Sequence, residues 1–129
     1  MIRPARPEDL SAIAAIQQKC PEAAPWDPTG YDVLVEELDN QVVGFLVTRT
    51  IIEGESEVLN LAVAPEYRRR GIARHLLQHV LRDTFFLEVR ESNAAAREFY
   101  KSLGFQEVGT RPEYYPDSLE CGIVMKFHS

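Results

Sequence analysis

The sequence predicts a single α/β domain in which a central, mixed and largely antiparallel sheet is flanked by helices. Three observations carry this reading. The chain has 129 residues, a length at which one core buries about two thirds of the surface the unfolded chain exposes. Its apolar residues switch between period-2 and helical spacing in the order β-α-β-β-β-α-β-α-β-β, the pattern of a mixed layer architecture. Finally, an apolar run, Val58 to Val63, turns through Arg68-Arg69-Arg70-Gly71 into an amphipathic run, Ala73 to Leu81, so a strand delivers the chain to a helix start.

Ile2 to Ala5 reads as a short first strand, and Pro7-Glu8-Asp9 supplies a proline and two acids for a helix's first turn. Leu10, Ile13, Ala14 and Ile16 recur at helical spacing, predicting a helix to about Lys19 with that face inward. Pro21 to Gly30 reads as a loop and contains Trp26, the single tryptophan. Tyr31 to Glu37, Val42 to Thr50 and Glu57 to Ala64 are β-rich runs separated by Asp39-Asn40 and Gly54, an antiparallel meander. After Gly71, Ile72, Leu76, Leu77, Val80 and Leu81 share one helical face as far as Asp83. Phe85 to Arg90 is a fifth strand. Ser92-Asn93 then caps a helix over Ala94 to Leu103, with Ala96, Phe99, Tyr100 and Leu103 on one face and Gly104 at the left-handed terminus. Phe105 to Arg111 and Cys121 to Phe127 close the sheet, with Pro112 to Leu119 as the loop between them.

Bulk properties narrow the function classes. The chain is 45% apolar and 26% charged, without an apolar run of membrane-spanning length or an N-terminal signal pattern, so a cytoplasmic location is expected and no membrane partner. A formal charge of -6 argues against a nucleic-acid partner, which needs a basic face, and suits a basic peptide. Cys20 and Cys121 lie far apart and form no C-x-x-C pair, which points to free thiols. His75 and His79 stand four apart on a helix, a spacing that can hold a metal, but without a third ligand nearby they read as a solvated flank, and no metal is expected. His128 carries no signal.

The strand-to-helix hinge is a phosphate seat. A helix start leaves N–H groups without helical acceptors, and the macrodipole there favours negative charge. Gly71 lets an anion approach the main chain, and Pro65 ends the strand. Three adjacent arginines could otherwise form a solvated basic patch or a nucleic-acid contact.

Arg68 to Ala73 resembles the acetyl-CoA pyrophosphate loop of the GNAT superfamily of N-acetyltransferases, in which an arginine or glutamine is followed by x-x-Gly-x-Gly/Ala. Within that superfamily, Asn60 to Tyr67, Leu87 to Ala96, Phe99-Tyr100 and Leu103-Gly104-Phe105 resemble the RimI family of ribosomal-protein alanine N-acetyltransferases. The likeness is strongest from Glu57 to Tyr115, while the stretch before Tyr31, the Arg82-Asp83-Thr84 connection and the Pro112 to Leu119 loop are short for that family. The resemblance implies a GNAT fold whose sheet splays between the fourth and fifth strands, acetyl-CoA as cosubstrate, and a protein N-terminus, including that of a ribosomal protein, as acceptor.

Acetyl transfer to an amine needs a held thioester, a deprotonated amine, a stabilised oxyanion and a proton for the departing thiolate. Arg69, Arg70, Gly71, Ile72, Ala73 and Arg74 would ring the pyrophosphate, and Leu61, Ala62 and Val63 would pair backbone groups with the pantetheine arm, as in the family. An oxyanion donor is expected among the backbone N–H groups of Leu61 to Val63. Glu88 is a charge inside the apolar run Phe85 to Val89, and alternation puts it on the face opposite Leu87 and Val89. A partly desolvated carboxylate there suits a general base, and the position matches the family's glutamate. Tyr100 matches the family's acid, a phenol able to protonate a thiolate.

Five further residues complete the candidate acceptor site, with Asn93 beside the cofactor. Glu57 is a second candidate base on the fourth strand. Asn60 could orient a substrate carbonyl, and Asn93 could cap its helix and bond the cofactor. Trp26, in a Pro-Trp pair, and Tyr114-Tyr115-Pro116 resemble elements bordering the family's peptide groove. The sequence leaves open the same chemistry on a lysine or small-molecule amine, and a module that binds acyl-CoA without catalysis.

Overall fold

The apolar alternation becomes one seven-stranded sheet in the computed structural model, which describes residues 1–19, 31–115 and 120–129. Its strands are β1 (Ile2–Pro4), β2 (Asp32–Leu38), β3 (Gln41–Ile52), β4 (Glu55–Val63), β5 (Thr84–Arg90), β6 (Gln106–Tyr115) and β7 (Glu120–His128), ordered β1-β2-β3-β4-β5-β7-β6. Helix α1 (Leu10–Gln18) follows β1, α2 (Ile72–Val80) follows β4, and α3 (Ala94–Ser102) follows β5. This is the predicted α/β order. Strand β4 runs parallel to β5, whereas β1 with β2, β2 with β3, β5 with β7 and β6 with β7 are antiparallel. Cys20 and Trp26 lie outside the described residues.

Internal contacts divide the chain into two units interleaved in sequence. The first comprises Met1–Arg49 and Val58–Leu81, the second Thr50–Glu57 and Arg82–Ser129. In the first, Asp39 and Asn40 both take positive φ, 51° and 62°, in the two-residue turn that sets Leu38 opposite Gln41. Ile13, Ile16, Val35, Phe45, Val47, Ala62 and Ala64 form one apolar cluster. Leu10 was expected to face inward with them and is instead 43% exposed, and Ala14 is also exposed. The buried stripe centres between Ile13 and Ile16, which leaves Leu10 and Ala14 about 90° and 130° away at 3.6 residues per turn.

Helix α2 buries Ile72, Leu76 and Leu77. A Cβ at Gly44 of β3 would stand 3.1 Å from Ile72 Cγ2 and 3.3 Å from the Ala62 carbonyl oxygen, so the bare backbone there seats the first turn of α2. Beneath α1, Arg3 donates from both terminal nitrogens to Asp9, at 2.7 and 3.1 Å, and from Nε to Glu37 at 2.9 Å. The Arg6 N–H adds a bond to Asp9 at 2.7 Å. Hydrogen bonds from Arg3 hold the Asp9 carboxyl below the usual carboxylate range.

In the second unit, Thr84 to Phe86 pair in parallel with Glu55 to Glu57. Strand β7 lies between β5 and β6, and Phe85, Leu87, Phe105, Ile123 and Met125 are buried. Asn93 caps α3 by accepting from the Ala96 N–H at 3.1 Å, and Gly104 ends the helical segment at φ 106°. Arg97 and Lys101 of α3 reach Glu107 of β6 at 2.9 and 3.2 Å, and their hydrogen bonds lower the Glu107 carboxyl to about 2. The predicted loop from Pro112 is a correction: β6 continues to Tyr115, which faces Glu120. A register shift between Arg111 and Tyr115 accommodates Pro112, which has no N–H to give to a ladder. Tyr114 and Tyr115 thus lie on a strand.

Candidate active site

In the first unit, β4 ends at Val63 and a 3-10 turn, Pro65–Tyr67, leads to the arginine run. Arg69 and Gly71 both adopt left-handed backbone, φ 65° and 78°, a geometry that aims successive N–H groups into a concavity suited to anions. Gly71 is the N-cap of α2 and its carbonyl accepts from the His75 N–H at 2.9 Å, so the N–H groups of Ile72, Ala73 and Arg74 precede the first helical donor. A Cβ on Gly71 would meet nothing within 4 Å. The residue is glycine for its backbone angle and for what may approach it, and not for neighbouring protein atoms.

Side chains around this turn take different parts. Ile72 is buried at 5% exposure and so offers a ligand only its main chain. Arg70 lies over the Tyr67 ring at 4.9 Å, a cation–π contact that fixes the turn. Arg68 Nε reaches the Val63 carbonyl at 3.4 Å. On β4, Asn60 is buried, donates to Gln17 at 2.8 Å and accepts from the Leu61 N–H at 2.9 Å. The Leu61 N–H is therefore already engaged by the side chain of the residue before it, which removes it from the expected oxyanion donors.

His75 was expected on a solvated flank. Its ring is largely exposed, but Nδ1 lies 2.8 Å from Oε1 of buried Glu36, whose Oε2 is 2.7 Å from the Met1 amine. Burial alone would raise the Glu36 carboxyl; the Met1 amine and His75 outweigh it and hold it low. Nothing in the local sequence marks Glu36, which sits beside another acid in an ordinary β run.

The second unit holds the acid–base candidates. Phe85 and Leu87 are buried while Phe86, Glu88 and Arg90 are half-buried, the alternation expected for β5, although Val89, expected on the face of Leu87, is half-buried as well. Glu88 Oε1 pairs with Arg111 of β6 at 3.0 Å, and Oε2 is buried with no hydrogen-bond partner among the described residues. Glu57 faces Phe86 across the parallel ladder, so both candidate bases belong to one face of the β4–β5 pair. Tyr100 packs edge-on against Phe99 and Phe105 at 5.2 and 5.4 Å between ring centres. Burial pushes its hydroxyl up to about 12, so it carries its proton throughout the neutral range. Asn93 is the α3 cap described above. Tyr114 and Tyr115 stand on β6, and Trp26 lies outside the described residues.

Arg111 is the site residue sequence reading missed. It reads as one more surface charge before a proline until β7 is known to lie between β5 and β6.

The Acetyltransferase (GNAT) family profile matches residues 5–105. The chain belongs to the GNAT acetyltransferase family. Among relatives of this GNAT protein, the [ribosomal protein bS18]-alanine N-acetyltransferase of Salmonella typhimurium is 37% identical over 134 residues, spanning 91% of this chain and 89% of that one. The crystal structure of the ribosomal-protein-S18-alanine N-acetyltransferase from Escherichia coli superposes with a TM-score of 0.83 at 32% identity, covering 99% of this chain and 92% of that one. A GNAT family acetyltransferase from Elizabethkingia anophelis with acetyl-CoA bound shares the fold, with a TM-score of 0.75 at 17% identity over 100% of this chain and 97% of that one.

The GNAT chain is thus an N-acetyltransferase of RimI type, with the predicted fold. Its turn from Arg69 to Arg74 fits the pyrophosphate of the family's cosubstrate on its own geometry: left-handed backbone at Arg69 and Gly71, open space above Gly71 and the first N–H groups of α2.

Proposed function

We propose that this GNAT protein transfers the acetyl group of acetyl-CoA directly to the N-terminal α-amino group of a protein, with alanine first, and that the acceptor is a ribosomal protein of the bS18 kind. Residues 1–129 act as one catalytic domain, a reading supported by a family match that spans parts of both units. A ribosomal acceptor places the reaction in the cytoplasm.

The observation that carries the chemistry is the buried Glu88 Oε2 without a hydrogen-bond partner. A buried carboxylate oxygen left without a donor costs stability and is accounted for when a donor arrives with the substrate. Glu88 Oε2 receives the nitrogen's proton as the C–N bond forms. The Tyr100 hydroxyl gives its proton to sulfur as the C–S bond breaks with its electron pair to sulfur; the thiol keeps that proton, Glu88 releases the amine's proton to solvent, and Tyr100 regains one from solvent. Main-chain N–H groups of Ile72, Ala73 and Arg74 hold the pyrophosphate, with Arg69, Arg70 and Gly71 shaping the turn; Leu61, Ala62 and Val63 line the pantetheine arm, and Asn93 borders it. Asn60 steadies that strand, and Glu57, on the same face of the β4–β5 pair as Glu88, borders the peptide.

Intact-mass analysis tests this with acetyl-CoA and short peptides that differ in first residue and carry internal lysines. One acetyl group on the α-amine, strongest for peptides starting with alanine, is the expected result. Modification confined to lysine would move the acceptor class, and no transfer to any peptide would overturn the protein-acceptor reading.

A further inference from the structure

The arrangement around Glu88 assigns a role to a residue outside the machinery described so far. On β6, Arg111 faces Gly122 of β7, which in turn faces Arg90 of β5; Glu88 faces Val124, two residues along β7. The Arg111 side chain must therefore pass over β7 to reach Glu88, and it does so from the row in which β7 carries a glycine. Arg90, the basic residue nearest Glu88 on its own strand, lies 3.6 Å from Glu120.

Arg111 is 57% exposed and the Glu88 side chain 21%. An exposed ion pair on a sheet is worth little to stability. The contact does something more specific, because it engages one oxygen only. Oε1 takes the guanidinium while Oε2 stays buried and open to a donor. A carboxylate attached to a flexible stem would otherwise share its time among rotamers, and a base that must meet an amine within hydrogen-bond distance loses rate when it wanders.

We propose that Arg111 is a positioning residue that clamps Glu88 through Oε1 so that Oε2 is the oxygen presented to the acceptor amine. The role rests on Glu88 acting as the base. It predicts that the clamp matters to turnover and not to binding of the acetyl donor, and that any cation able to reach Glu88 Oε1 can serve.

The test is steady-state kinetics on R111M, R111K, E88Q and the double variant E88Q/R111M, using acetyl-CoA and an alanine-first peptide. For R111M, kcat falls about tenfold with the KM for acetyl-CoA unchanged, while R111K stays within about threefold of the parent. In the E88Q background, R111M costs nothing further, because the clamp acts through the carboxylate that E88Q removes. R111Q, which keeps polarity without charge, gives the same reading should R111M fold poorly in a thermal melt. Parental kcat in R111M, or an undiminished loss in the E88Q background, overturns the proposal while leaving Glu88 as base. Parental kcat in E88Q overturns the base assignment itself, and the clamp with it.

Discussion

Each unit of this protein keeps a carboxylate beside an arginine, Asp9 beside Arg3 in the first and Glu88 beside Arg111 in the second. Both Asp9 oxygens are occupied, Oδ2 by Arg3 and the Arg6 N–H and Oδ1 by the second Arg3 nitrogen. Glu88 has one oxygen occupied and the other buried without a donor. Paired and fully bonded, a buried acid ties elements together; half-bonded, it keeps an acceptor in reserve. The first arrangement joins β1 to the start of α1. The second is what a site that must receive a proton needs.

The sharpest break in this comparison is to neutralise each acid in turn. Glu88→Gln should lower kcat a hundredfold or more, the range general-base loss covers, with melting temperature nearly unchanged. Asp9→Asn should do the reverse, losing about 3 kcal/mol in chemical denaturation as a buried pair is broken while kcat stays near parental. If Asn at position 9 lowers turnover in the folded protein as Gln at position 88 does, the distinction collapses.

Tyr100→Phe extends the comparison to the proposed acid. Turnover should fall about tenfold or more with acetyl-CoA KM retained. Because the hydroxyl sits at about 12, the parent should show no loss of kcat from Tyr100 ionisation below about pH 10, and a basic limb near neutrality that disappears in the Phe variant would contradict this. A smaller effect is expected at the anion turn. Gly71→Val should raise the acetyl-CoA KM about tenfold, since a β-branched residue resists φ 78° and its side chain enters the open space. Arg68→Ala should raise it about twofold, through lost charge and the lost contact to the Val63 carbonyl, and equal effects would shift the binding from main chain to side chains.

The least conspicuous outcome concerns pH. Asp9 and Glu107 both have carboxyls lowered by their basic partners. Groups lowered in the folded state stabilise it above the unfolded carboxylate range, about pH 4, and lose that contribution as pH falls toward their folded values. Thermal melts from pH 6 to pH 3 should therefore show melting temperature falling with pH, and Asp9→Asn should flatten the slope.

Where sequence reading succeeded, the determining interactions were local. Gly71 between two periodic runs announced the strand-to-helix turn, and a single charge alternating with Leu87 and Val89 announced the face of Glu88. It failed where partners are distant. Arg111 acquires meaning only when β7 lies between β5 and β6, and the crowding above Gly44 exists only once α2 packs on β3. Leu10 obeyed the helical period but lay at the stripe's edge, since period sets spacing and packing sets the centre. Pro112 read as a loop signal because proline's missing N–H also suits a bulged strand.

Chain order and sheet order part company in the second unit, where β7 is made after β6 yet lies between it and β5. On a translating ribosome, Thr84–Arg90 and Gln106–Tyr115 are both in hand before either has the neighbour they will share. Residues 120–128 then supply two ladders at once, from Thr84↔His128 to Arg90↔Gly122 and from Gln106↔Lys126 to Tyr115↔Glu120. Until they emerge, the nascent chain carries two open strand edges, the kind of surface that pairs with the wrong partner. Glu88 and Arg111 are consequently brought within reach of one another only once β7 has taken its place between their strands.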